Sequence, residues 1–110
     1  MALSPIIIDQ AGPLPIKTSI DWPSTNTVVI AVSGSAYAQQ PQTMLTVNLS
    51  INDTTETLQV YANRAQTHIA LPTGFFARTG QFGPCTVTLS AADSNTVTDQ
   101  NDHFQVALIY

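Results

Sequence analysis

Charge is what this chain has least of. Ten of its 110 residues are Asp, Glu, Lys or Arg, against thirty-eight that are Ser, Thr, Asn or Gln. A soluble domain usually carries about 25% charged residues and uses them to keep its surface wet and its copies apart. With Lys17, Arg64 and Arg78 as the only strong bases and a net charge of −4, nothing is available to neutralise a run of phosphates, so nucleic acid is not an expected partner. The same scarcity removes the polybasic segment that an anionic membrane surface attracts. Long apolar runs are missing too: none approaches the roughly 20 residues that cross a bilayer as a helix, and no membrane insertion is expected.

Cysteine is nearly absent. Cys85 stands alone, which excludes an internal disulfide framework and any dependence on an oxidising compartment. The start, Met1-Ala-Leu-Ser-Pro-Ile-Ile-Ile-Asp9, lacks the basic region of a signal peptide, and its apolar run stops at Asp9. Synthesis in the cytoplasm without a signal peptide is the expectation, which leaves room for a component assembled in the cell and later carried on a virion or phage-like particle. Two glycosylation-type sequons, at Asn48 and Asn52, are then accidental. No helical period longer than a turn and no tandem repeat is found.

What is present is strand patterning over the whole length, read as one domain, residues 1–110. Leu45, Val47, Leu49 and Ile51 alternate with Thr46, Asn48 and Ser50, giving one apolar and one polar face. Asn52-Asp53 supplies turn chemistry before Thr57-Leu-Gln-Val-Tyr61, so residues 44 to 62 read as a hairpin. Cys85, Val87, Leu89 and Ala91 repeat the alternation. Residues 28 to 33, Val-Val-Ile-Ala-Val-Ser, are β-branched and end at Gly34. Segments 6 to 8, 14 to 20, 68 to 71 and 75 to 76 add further short strands, and Phe104 to Tyr110 is apolar on nearly both faces. Such a strand belongs in the middle of a sheet. About eight strands at this spacing predict an all-β antiparallel sandwich.

Candidate sites are few. Asp93, Asp99, Asn101 and Asp102 offer hard oxygen ligands of the kind calcium prefers, but their spacing matches no EF-hand loop. The reading adopted is a solvated connection whose Asp and Asn side chains cap turns, with no metal and no cofactor. Pairing of His68 or His103 with Asp102 or another acid would be the start of a triad; the reading adopted instead places both near strand ends, where they satisfy backbone or inter-subunit groups. No G-x-S-x-G nucleophile elbow exists, Ser33-Gly34-Ser35 included, and Cys85 lies in phase with Val87 and Leu89 as a small hydrophobe. No catalytic residue is assigned. Trp22, Tyr37 and Tyr61, with Asn63, Arg64 and Gln66, are the residue types that stack on a sugar ring and hydrogen-bond to it. Core or interface packing is the competing role for these aromatics.

Three stretches resemble a known group of domains. They are Val28-Val-Ile-Ala-Val-Ser-Gly-Ser-Ala36, the hairpin with Tyr61-Ala-Asn-Arg64, and Thr86-Val-Thr-Leu-Ser90 leading through Asn101-Asp102 to Phe104-Gln-Val-Ala-Leu-Ile-Tyr110. From residue 28 onward their order is similar to small jelly-roll domains of the tumour-necrosis-factor and complement-C1q type, which also occur in phage and phage-like structural proteins and some bacterial lectins. Residues 1–27 lie outside the resemblance, and the long receptor-binding loops of cytokine members are missing. The resemblance implies a jelly-roll homotrimer in which the last strand helps pack subunits about an axis.

The expectation is therefore a non-enzymatic structural or surface-binding component of a phage or phage-like particle, such as a fibre tip, decoration or knob. Its partners would be its own copies and a glycan or host-surface receptor. A carbohydrate-binding lectin is the alternative. The residues placed at the trimer axis are those of the last strand, with Phe104, Val106, Leu108 and Tyr110 on one face and Ala107 and Ile109 on the other; the first set is named as the contact, and residue order leaves open which face turns inward. A dimer formed by strand addition at an exposed edge is the competing assembly.

Overall fold

The computed structural model describes residues 3–110; the Met1-Ala2 portion of the leader reading lies outside them. The strands run β1 (Ile6–Ala11), β2 (Ile16–Asp21), β3 (Val28–Ser33), β4 (Ser35–Ala38), β5 (Thr43–Ile51), β6 (Thr54–Ala62), β7 (Ile69–Ala70), β8 (Gly74–Arg78), β9 (Pro84–Ala91), β10 (Thr96–Val97) and β11 (His103–Ile109). Their cause is visible in burial: Leu45, Val47, Leu49 and Ile51 are inside β5 while Thr46, Asn48 and Ser50 are half-exposed, as period-two alternation requires. The β5–β6 hairpin closes through Asn52 at φ 50°, a left-handed conformation that Asn tolerates better than most residues.

Strand pairing is nested. β5 pairs with β6, β3 with β8, β2 with β9 and β1 with β11, all antiparallel. The chain is thus laid out like one long hairpin closed at Asn52-Asp53 and then rolled, so that β11 also meets β3 and β9 also meets β5. This is the jelly-roll form of the antiparallel β-sandwich. Its sheets have the orders β1-β11-β3-β8 and β2-β9-β5-β6, and a small third sheet has the order β10-β4-β7. The eight strands of the nested pairs carry the sandwich; β4, β7 and β10 are the short additions.

Between the two large sheets lies a cluster drawn from nearly every long strand, including Ile8, Ile16, Val28, Ile30, Leu49, Leu58, Val87, Leu89 and Phe104. Cys85 is buried there, in keeping with its apolar phase. Arg78, paired with Glu56 across the sandwich edge at 2.9 Å, covers one flank. Among the described residues no helix is long and apolar enough to cross a membrane.

Two readings change. The last strand does lie inside its sheet, between β1 and β3, but Phe104, Val106 and Leu108 are at most 1% exposed within the chain itself. They cannot also meet a second subunit, because the largest side chains of β11 have turned toward the sandwich core; Tyr110 is partly buried against the same cluster. The 93–102 connection is also less solvated than its composition suggests. It contains β10 and buries Thr96, Thr98 and Asp102, where the Thr96 and Thr98 hydroxyls accept from the backbone N–H groups of Thr46 and Leu14. Such buried hydroxyls are sustained by these bonds.

Candidate functional site

The outer side of the small sheet brings together a serine, a histidine and two carboxylates. Asp102, fully buried, is its hub. Its Oδ1 accepts from the Ser35 hydroxyl at 2.6 Å and from His68 Nδ1 at 2.7 Å, while Oδ2 accepts from the Asp99 backbone N–H at 2.9 Å. A carboxylate only accepts, so Nδ1 must carry the donated hydrogen and Nε2 is the outward-facing ring nitrogen. Asp99 Oδ2 lies 3.6 Å from that Nε2. Tyr37, on β4, tilts its ring against His68 with centroids 4.7 Å apart. The hydrogen bond to Asp102 is the largest cause of a His68 pKa above its ordinary value; burial opposes it, and the charges of Asp102 and Asp99 add to it.

Of the acidic residues singled out from the sequence, Asp99 and Asp102 converge, and with His68 they place three potential ligand atoms within 4.8 Å. Asp93 does not join them: its Oδ1 accepts from the N–H groups of Asn95 and Thr96, the capping role expected of it. Asn101 contributes its backbone N–H to Asp99 Oδ1 at 2.8 Å, which aims Oδ2 at the histidine. Ser35 is the member that sequence reading passed over, since a serine after glycine carries no signal of its partner. Its hydroxyl is bonded to Asp102 and not to His68, so the order nucleophile, base, orienting acid is not formed. His103 pairs instead with the exposed Asp9.

No family model and no curated protein sequence matches this chain. Among solved structures it is similar to a sugar-binding protein, the EclA C-terminal domain, with 15% identity and a TM-score of 0.46 over 100% of this chain and 77% of that one.

The aromatic candidates separate. Trp22 is 7% exposed inside the main cluster, so its ring faces neighbours of its own chain and is not free to stack on a ligand. Tyr37 is half-buried against His68. Tyr61 remains open, 51% exposed opposite Met44 on the β5–β6 ladder, and Asn63 and Arg64 follow it on the surface.

A second feature is the outer face of the β1-β11-β3-β8 sheet. Residues opposite one another in an antiparallel ladder share a face, and the registers set Ile6 beside Ala107, Ala107 beside Ala31 and Ala31 beside Phe75. Ile109, Val29 and Ala77 form the adjoining row. Neither row holds a charged side chain. Phe75 is 65% exposed and Ile6 53%, and the two stand at the outer strands of the sheet with a floor of alanine between them.

Proposed function

We propose that the chain is a non-enzymatic, surface-binding module that works as a homotrimer, assembled through the outer face of its β1-β11-β3-β8 sheet and displayed as a knob or decoration of a phage-like particle. The row Ile6, Ala107, Ala31, Phe75 carries this reading. A sheet face meant for water is polar at its outward positions; here the polar row Asp9, Gln105, Ser33 adjoins rows in which two large apolar side chains stand exposed across an alanine floor. Contiguous apolar surface of this kind marks an interaction site.

The occupant is a second copy of the same chain. One face supplies both the projections and the hollow, so copies can fill one another without importing a charge or a complementary shape. Covering Phe75 and Ile6, 65% and 53% exposed, contributes about 1–2 kcal/mol each, and depletion of charge is the composition expected at such a contact. Bonding of Ser35 to Asp102 rather than His68 supports the non-catalytic part of the reading. Three copies would present three identical receptor contacts, raising avidity with no new chemistry.

A lectin reading rests on a separate observation, the exposed Tyr61 followed by Asn63 and Arg64, which supplies a stacking ring and hydrogen-bonding groups for a sugar. Light scattering on the purified full chain tests the assembly: a mass of three chains supports the trimer, and a monomer at micromolar concentration overturns it. A glycan array probed with the same protein, and with Tyr61→Ala, then tests the lectin reading. Saturable binding lost on substitution supports it; no binding on the array removes it.

A further inference from the structure

When the imidazole is neutral, His68 Nε2 and Asp99 Oδ2 face each other as two acceptors with no donor between them. The ring cannot turn its Nδ1–H outward without abandoning buried Asp102, and Asp99 cannot turn away without releasing the Asn101 N–H from its Oδ1. Both groups are held in place by other bonds. Their separation, 3.6 Å, is too long for a direct N–H···O hydrogen bond, which needs about 2.7–3.2 Å. It suits a shared ion. Zinc bound at about 2.0–2.1 Å to imidazole and about 2.0–2.2 Å to carboxylate, at a tetrahedral angle, sets its two donor atoms about 3.4 Å apart.

We propose that His68 Nε2 and Asp99 Oδ2 form a surface site for a zinc-class divalent transition-metal ion, with buried Asp102 orienting the histidine from behind. Metal-ligating histidines almost always donate their other ring N–H to a carboxylate or carbonyl, which fixes tautomer and ring plane. Asp102 does this here, and the Tyr37 ring packed against the imidazole limits its rotation. Imidazole favours zinc, nickel or copper, whereas calcium seeks six to eight oxygens. The oxygens of Asp102 are all engaged inside the protein, and Asp93 is turned to its own loop. With side-chain exposures of 35% for His68 and 40% for Asp99, the remaining coordination positions face solvent and are open to water or to a donor from a bound molecule.

The test is titration of the metal-free full chain with zinc chloride, followed by calorimetry and by the imidazole nitrogen resonances. Zinc is expected to shift His68 Nε2 saturably, and Asp99→Asn to weaken binding tenfold or more. That variant keeps an oxygen for the Asn101 N–H, and its melting curve checks that the loop is retained. His68→Gln should abolish the site, and His103→Gln should bind like the parent chain. Absence of saturable zinc binding overturns the assignment. So does a shift confined to His103, parent-like affinity in Asp99→Asn, or calcium binding as tight as zinc.

Discussion

Ser35 Oγ donates a 2.6 Å hydrogen bond to Asp102 Oδ1, joining β4 to the turn before β11 across 67 positions of sequence. Asp102 accepts from three donors in full burial, so its truncation strands all three. Asp102→Ala should cost about 3 kcal/mol, and Ser35→Ala, which removes one donor and leaves two, about 1 kcal/mol. Urea denaturation of both variants measures the difference; equal losses would show that Asp102 is not the hub.

Ala31 and Ala107 form the floor of the outer sheet face, opposite each other on β3 and β11. Neither contributes to the buried cluster, so a charge placed there should leave the fold intact while obstructing a second copy. Ala31→Glu and Ala107→Glu should each reduce the solution mass to one chain with the far-ultraviolet circular dichroism unchanged. An unaltered oligomer would place the contact elsewhere.

At Gly34 a Cβ atom would run into the ring of Phe104, whose side chain is fully buried and has nowhere to move. Gly34→Ala should therefore cost about 1–3 kcal/mol through overpacking. At Gly80 the added atom meets nothing within 4 Å, but φ is +80°, and only backbone strain of about 1–2 kcal/mol applies. In urea titrations Gly34→Ala should lose at least as much as Gly80→Ala; the reverse order would mean that Phe104 yields.

His68 is held above its ordinary pKa chiefly by the hydrogen bond to Asp102. A group raised on folding stabilises the native state fully below its unfolded pKa, about 6.5, and that contribution disappears as pH rises through the folded value. Melting temperatures in EDTA should fall as pH is raised from about 6 to about 8, and His68→Gln should flatten the slope. A slope unchanged by the substitution would assign the dependence to another group.

The hairpin around Asn52-Asp53 and the half-buried strand from Cys85 were legible in sequence because strict alternation admits one period and one face. Central placement of β11 was legible too, since apolarity on both faces favours the middle of a sheet over its edge. Orientation was not: Phe104, Val106 and Leu108 on one side and Ala107 and Ile109 on the other are all apolar, and hydropathy alone does not rank them. Packing decided it, by placing the bulkier set in the sandwich core and the smaller side chains outside. Trp22 was likewise ambiguous until its burial was seen.

From residue order alone, then, came the all-β class, the strand periods, the closing turn and a surface poor in charge, since these depend on neighbours within a few positions. Nested pairing, the choice of inner face, the alanine floor between Ile6 and Phe75, and the meeting of Ser35, His68, Asp99 and Asp102 were decided only by the rolled sandwich. Those contacts join residues distant in sequence, and no local period records which distant strand will lie alongside.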